Sequence, residues 1–275
     1  MTDLLLSASG ATAVDVARRA ASAAAKATLP RFQALTRGDP IEKVAKSRGN
    51  YVTESDLACE TAVMATLRAE YPGVPVLSEE TSASVDAWDK GWLWVMDPID
   101  GTSNFARGIP SWAFNLALCL DGEPVLGLTY QPVTGDEFLA TKGGGLHVNG
   151  ERVEVSPVVA LEDALTAFGL GYDYARAGRM LSLLSGLWPQ VMMIQNIGTA
   201  ALGLAYAASG RFDLYVHSLL FPWDMAPGLI QIQEAGGVTL ARGGTPANIY
   251  SEGIIAGSPG PAREFLALSR DTAWR

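Results

Sequence analysis

The sequence predicts an α/β protein built in layers, and three stretches carry that expectation. Two alanine-rich segments, residues 12–36 and 54–70, repeat small apolar residues at helical spacing. Residues 113–155 read as an antiparallel meander, with the runs FNLALCL, EPVLGLTY, DEFLAT and LHVNGERVEV separated by Asp121-Gly122, Thr134-Gly135, Gly143-Gly144-Gly145 and Asn149-Gly150. From residue 165 onward, strand and helix patterns alternate.

Taken in order, the first helix brings Val14, Ala17, Ala21, Ala24 and Leu29 to one side, and Pro30 interrupts or bends it. The second helix, ESDLACETAVMATLRAE, has acids in its first turn and stops at Tyr71-Pro72-Gly73. Two short buried strands follow, at 74–77 and 91–96, each running into acid: Glu79-Glu80 after the first and Asp97 after the second. Beyond the meander the pattern gives strand 165–170, helix 178–188, strand 191–195, helix 199–209, strand 212–217, helix 223–235, strands 237–240 and 253–257, and helix 260–270. Ser156-Pro157 is the expected seam between an N-terminal half, 1–155, and a C-terminal half, 156–275, that share a cleft.

Composition narrows the function classes. A chain of 275 residues with 48% hydrophobic and 18% charged side chains has ordinary globular usage. The formal charge of −9 opposes phosphate backbones and acidic membranes, and no basic block with interleaved aromatics offsets it, so neither a nucleic-acid polymer nor a membrane is an expected partner. The first basic residue is Arg18, the reverse of a secretory signal's charge order, and no apolar run approaches membrane-spanning length. Cys59 and Cys119 lie far apart with no metal-ligand spacing, which reads as buried thiols in a reducing compartment. The expected location is the cytoplasm.

The stretch WVMDPIDGTSNF, residues 94–105, carries the chemistry. Asp-Pro and Asp-Gly are common in surface turns. The preceding WLWVM is too apolar for a surface strand, however, and the end of a buried strand is where ligand sites of layered folds form. A turn entering a helix there brings Asp97 and Asp100 to one side, with the Ile99 carbonyl free of the ladder as a further oxygen ligand. Hard cations such as Mg²⁺ take such oxygen ligands, and the following Gly101-Thr102-Ser103-Asn104 reads as a helix start able to receive phosphate. For Thr102, Asp56 and Asp224 taken alone, helix capping is the ordinary role. Adjacent glutamates such as Glu79-Glu80 ordinarily lie in solvated loops.

These residues together resemble the inositol monophosphatase family of Mg²⁺-dependent, lithium-sensitive sugar-phosphate phosphatases. Its first motif, Trp-x-x-Asp-Pro-Ile-Asp-Gly-Thr-x-Asn-Phe, is met by WVMDPIDGTSNF, and its second, Trp-Asp-x-Ala-x-Gly, by WDMAPG at 223–228 with EAGG at 234–237. The acidic pair, the TxxD of Thr53 and Asp56, the GGGLHVNG turn and the GTAA at 198–201 fall in the family's order, so the resemblance spans essentially the whole chain. It implies a five-layered αβαβα sandwich with two sheets, an active cleft between them, and a homodimer. It also implies two or three Mg²⁺ per site: Glu79, Asp97 and the Ile99 carbonyl on the first, Asp97, Asp100 and Asp224 on the second, and Glu79 aiding a third. Thr102 backed by Asp56 would orient and deprotonate the attacking water, the amides of Gly101 and Thr102 would take phosphate oxygens, and Gly198, Thr199 and Ala200 would line the sugar side. Charge agrees: Glu79, Asp97, Asp100 and Asp224 together with a phosphate monoester of about −2 need counter-charge in a partly dry cleft.

The sequence departs from the pattern at two places. Inositol-hydrolysing members usually carry a glutamate seven residues before the aspartate of the second motif, where this chain has His217. The expected reaction is hydrolysis of a small polyol or sugar phosphate such as inositol 1-phosphate. With His217 there, fructose 1,6-bisphosphate, histidinol phosphate and nucleotide phosphates stay open, as does a structural role for His217. In KVAKSRGN, residues 43–50, which the family places as a mobile metal-sensing loop, Asn50 replaces a frequent acid. A serine hydrolase is poorly supported, because neither His147 nor His217 accompanies a GxSxG. A non-catalytic scaffold is the stronger rival and predicts a broken carboxylate, yet all the candidate ligands are present.

Overall fold

In the computed structural model, residues 5–47, 49–81 and 90–275 are described. The chain begins with α1 (Ala13–Thr36), the hairpin β1 (Lys43–Ser47) and β2 (Asn50–Thr53), and α2 (Glu54–Glu70). Next come β3 (Val76–Ser78), β4 (Trp92–Asp100), the single turn α3 (Thr102–Phe105), and the meander β5 (Ala113–Leu120), β6 (Glu123–Gln131), β7 (Asp136–Thr141), β8 (Gly145–Val148) and β9 (Glu151–Val153). The remainder is β10 (Leu165–Gly169), α4 (Tyr174–Leu187), β11 (Met193–Gln195), α5 (Ala200–Ala208), β12 (Leu214–His217), α6 (Pro222–Glu234), β13 (Val238–Ala241), β14 (Ile254–Gly257) and α7 (Pro259–Leu268).

Two large sheets organise these elements into the expected five layers. Strands β3 to β9 form one sheet in sequence order, and β11-β10-β12-β14-β13 form the other. Helices α1 and α2 cover the outer face of the first sheet around Trp94, Met96, Phe114, Leu116 and Leu118. Helices α5 and α6 lie between the sheets, packed on Leu93, Val95, Ala117 and Phe138. Helices α4 and α7 cover the outer face of the second sheet through Met180, Leu184, Ala262 and Phe265. The unbroken apolar run of β4 follows from this. Its even residues face one helical layer and its odd residues the other, so both faces are dry and no polar alternation is possible.

Several expectations need correction. The meander β5–β9 is antiparallel as expected, and β3, for which no pairing was expected, joins the same sheet parallel to β4. Pro30 does not divide α1, which runs as one helix through it. Helix α4 starts at Tyr174 rather than residue 178, because Asp173 caps it by accepting the amides of Ala175 (2.9 Å) and Arg176 (3.0 Å). Strands β1, fully exposed, and β2, half-buried, pair antiparallel where a loop alone was expected. The buried, uncharged placement of both cysteines is as expected: each is a free thiol held in its neutral form by desolvation. No described helix is long and apolar enough to cross a membrane.

Candidate active site

The site begins with a register fault at the end of β4. Asp97 lies opposite Asn115 and Asp100 opposite Ala113, so three steps on β4 match two on β5. This bulge absorbs Pro98, whose missing amide cannot serve the ladder, and the extra residue puts Asp100 on the same side as Asp97. The two aspartates therefore converge as expected, but through a β-bulge rather than a turn entering a helix. That side faces the layer containing α5 and α6. Asn115 on the neighbouring strand donates to the carbonyls of Trp223 (3.1 Å) and Asp224 (3.3 Å), which fixes the start of α6 against β5.

Asp224 is thus delivered from the far half of the chain. It sits in the first turn of α6, where one carboxylate oxygen accepts the Phe221 amide at 2.7 Å. The ordinary capping role is real, and it leaves the other oxygen for the cluster. Asp97, Asp100 and Asp224 each place a carboxylate oxygen within 4.8 Å of the others. Burial raises all three above the usual carboxylate range, Asp100 to about 6, and mutual repulsion adds to the effect for Asp97 and Asp224. Three oxygen donors that repel one another in a dry place fit a hard divalent cation, which removes both penalties.

Glu79 lies on the wall of the same cleft but is not part of this tight triad. Lys46, from the exposed hairpin, places its ammonium 2.8 Å from both Glu79 and Glu80. Burial opposes the Lys46 charge, yet the two glutamates outweigh it and raise its pKa. Glu80 is pushed up to about 7, chiefly by desolvation. The sequence reading missed Lys46, which supplies the positive charge that keeps two acids together beside three more.

Thr102 and Asp56 meet as the resemblance implied. The Thr102 hydroxyl stands 3.2 Å from Asp56 and 3.1 Å from the Ile99 carbonyl, with one proton to give to either. The N-cap of α3 is Gly101, not Thr102. Asp56 does double duty: its other oxygen completes a capping box with Thr53, accepting the amide at 2.8 Å and the hydroxyl at 2.5 Å. Burial is the main cause that lifts Asp56 to about 6.

Gly101 links these parts. Its φ of +94° lies in the left-handed region, and an added Cβ would stand 3.0 Å from the Ser111 carbonyl and 3.3 Å from Thr199. Gly101→Ala is expected to cost roughly 1–2 kcal/mol in backbone strain, which corresponds to a fall of roughly 2–8 °C in melting midpoint. Scanning calorimetry in chelator checks it; an unchanged midpoint contradicts the strain.

Gly198, Thr199 and Ala200 lie on the cleft wall, at the entry to α5. The Thr199 hydroxyl, however, is turned to Asp100 instead of outward. The Asn104 amide reaches the carbonyls of Ser111 (2.7 Å) and Ile197 (2.9 Å), tying the first motif to this loop. His217 ends β12 and faces the cleft, with Nδ1 accepting the Leu219 amide at 3.2 Å. Burial lowers its pKa to about 3, so it is neutral with its proton on Nε2. The cleft so enclosed measures about 810 Å³, within the range of small-ligand sites.

The family model for the inositol monophosphatase family matches residues 11–274. The chain belongs to the inositol monophosphatase family. Among similar proteins, an inositol monophosphatase of Dictyostelium discoideum is 35% identical over 221 residues, covering 79% of this chain and 81% of that one. The Nus factor SuhB of Escherichia coli (strain K12) is 32% identical over 234 residues, covering 85% and 87%. A crystal structure of the extragenic suppressor protein suhB from Bartonella henselae superimposes with a TM-score of 0.86 at 31% identity, covering 94% of this chain and 98% of that one. The layered fold of this family member is therefore shared with its relatives, and its acidic cluster is one that can hold a metal.

Proposed function

We propose that this protein is a Mg²⁺-dependent phosphatase that hydrolyses the phosphate monoester of a small polyol or sugar. The observation that carries the proposal is the meeting of Asp97 and Asp100, at the end of one strand, with Asp224 from the far half of the chain, their oxygens within 4.8 Å in a cleft. On this reading Asp97, Asp100, Asp224, Glu79 and the Ile99 carbonyl hold two or three Mg²⁺. Bound Mg²⁺ would supply Lewis acidity toward the phosphoryl group, the attacking water and the leaving oxygen.

The chain's own residues do the rest. Gly101, having no side chain, lets the first-turn amides of α3 approach a phosphate oxygen. The Thr102 hydroxyl donates a hydrogen bond to Asp56 at 3.2 Å, which turns its oxygen toward the attacking water and lets Asp56 take, through Thr102, the proton that water releases. Asp56, at about 6, stands in the range where a carboxylate accepts a proton near neutral pH. Water adds to phosphorus and passes a proton through Thr102 to Asp56, the ester P–O bond breaks, and the leaving alkoxide takes a proton from a solvent water, so inorganic phosphate and the free polyol are the products. No covalent phosphoenzyme is required. The meeting of Asp97, Asp100 and Asp224, with Thr102 beside Asp56, favours the catalytic reading over a scaffold that has only kept the fold.

His217 argues about the substrate. A glutamate at this position accepts hydrogen bonds from two hydroxyls, whereas a neutral imidazole locked by Leu219 offers only its Nε2 proton. The favoured leaving group is then one that presents an acceptor oxygen, and inositol 1-phosphate is one member of a wider set. His217→Glu is expected to raise kcat/KM for inositol 1-phosphate relative to other esters by roughly tenfold or more. An unchanged ranking across esters would make His217 a structural residue.

The working state is proposed to be a cytoplasmic homodimer, with neither a membrane nor a nucleic-acid polymer as partner. The formal charge of −9 supports the last point. Because several relatives bear the name Nus factor, a mobility-shift titration with RNA belongs beside the enzyme assays, and saturable binding would remove that part of the proposal. The decisive experiment is phosphate release from a panel of sugar, polyol and nucleotide monophosphates with Mg²⁺, with and without Li⁺. Metal-dependent turnover of at least one ester supports the reading; none across the panel rejects it.

A further inference from the structure

We propose that Thr199 is a positioning residue for Asp100, its hydroxyl orienting one carboxylate oxygen so that the other faces the acidic cluster, and that it is not a substrate contact. The inference rests on the metal-dependent reading given above. Asp100 lies at the end of β4 and Thr199 at the N-cap of α5, ninety-nine residues apart in sequence. The Thr199 hydroxyl donates to Oδ2 of Asp100, and the Ala201 amide donates to the same oxygen at 2.7 Å. Two donors on one oxygen fix the carboxylate's rotation about its terminal bond, which is otherwise broad for aspartate. Asp100 still places a carboxylate oxygen within 4.8 Å of oxygens of Asp97 and Asp224.

The hydroxyl's one proton is already committed. Its proton goes to Asp100 and its oxygen accepts the Leu202 amide at 3.3 Å. Thr199 is 5% exposed, so little of it is available to a ligand although it borders the cleft. The contact is also secured from behind: a Cβ at Gly101 would crowd the threonine Cβ at 3.3 Å, and the Asn104 amide holds the Ile197 carbonyl. The first motif thus grips the loop from which Thr199 reaches back. Partners that orient ligating carboxylates typically contribute ten- to a hundredfold to metal affinity.

The test uses Mn²⁺ alone as probe, titrated into the full-length protein without substrate and followed by loss of the free-ion paramagnetic resonance signal. Thr199→Val keeps the shape and removes the hydroxyl, and is expected to weaken Mn²⁺ binding by roughly ten- to a hundredfold. Thr199→Ser is expected to recover most of that affinity. In an Asp100→Asn background, Thr199→Val should have little further effect, as expected for residues acting through one another. Should Thr199→Val fail to fold by circular dichroism, Thr199→Gly, tolerated at an N-cap, carries the same expectation. Wild-type Mn²⁺ affinity in Thr199→Val together with a raised KM for the ester at saturating Mg²⁺ would overturn the proposal and make the hydroxyl a substrate contact. Failure of the wild-type protein to bind Mn²⁺ at all would overturn the metal-dependent reading itself, a result distinct from any difference among variants.

Discussion

Asp97→Asn is expected to lower Mg²⁺-dependent phosphate release by on the order of a hundred- to a thousandfold, the scale on which loss of one preorganised electrostatic group acts. The same variant should melt in chelator at no lower temperature than the wild type. Both expectations come from one geometry. Asp97 is buried, its Oδ1 accepts the Ile99 amide at 3.0 Å, and an asparagine can keep that hydrogen bond through its own carbonyl oxygen. What the substitution removes is one negative charge from a group of acids that repel one another. Without cation, that relief offsets any loss of packing; with cation, a charged ligand is gone. Activity and stability should therefore move in different directions, which separates a ligand role from a folding role. Phosphate release and calorimetry on the same preparation measure both. Retention of most activity would contradict the assignment, and a large fall in melting temperature would mean that Asp97 acts mainly by holding β4 in place.

The extent to which this site was legible in the sequence follows from which interactions are local. The bulge is local: WLWVMDPIDG shows an apolar run ended by Asp-Pro, and any structure that keeps Pro98 off the ladder brings Asp97 and Asp100 close. Local spacing could not distinguish a turn from a bulge, because both put residues three apart on one side. The helix start at Asp173 was equally present in the text. Gly178, where the expected helix begins, lies inside α4 on an outer surface where a missing side chain is cheap. The hairpin at 43–53 left no apolar signal, since every residue of β1 is exposed. Lys46 was invisible for a different reason. Nothing in KVAKSRGN says which acids it will meet, and its pairing with Glu79 and Glu80 spans more than thirty residues. The contact from Thr199 to Asp100 is longer still and depends on both sheets being in place. Asp224 was found only because its surrounding pattern resembles a family motif; the residue alone is an ordinary first-turn acid, and in the structure it caps α6 as well. Local chemistry thus announced half of each carboxylate pair, and tertiary packing chose the partner.

Addition of Mg²⁺ at about a hundred times its dissociation constant should stabilise the protein by about 2.7 kcal/mol, seen as a rise of about 5–10 °C in melting midpoint. The rise should depend on pH in a direction set by the acids. Asp56 and Asp100 stand at about 6 in the folded protein, against the ordinary 3.8, and Asp97 and Asp224 are raised as well. A carboxyl whose folded pKa is raised favours folding while it is protonated, and that contribution is lost as pH rises through the folded value. In chelator, the midpoint should therefore climb as pH is lowered from about 7 toward 5, until acids with the opposite shift intervene. Glu70, held down to about 2 by Ser9, Ser7 and Arg19, is one of those, and its contribution fades only at much lower pH. With Mg²⁺ present the cluster no longer needs protons for neutrality, so the midpoint should be nearly flat across the same window, and the gain from metal should be largest at the alkaline end. Protons and cations then compete for one set of oxygens, and the titration of the midpoint reads that competition without any substrate. A metal-induced gain that grew as pH fell would contradict the placement of the cation among Asp97, Asp100 and Asp224, because those acids are the ones that protons should be taking away from it.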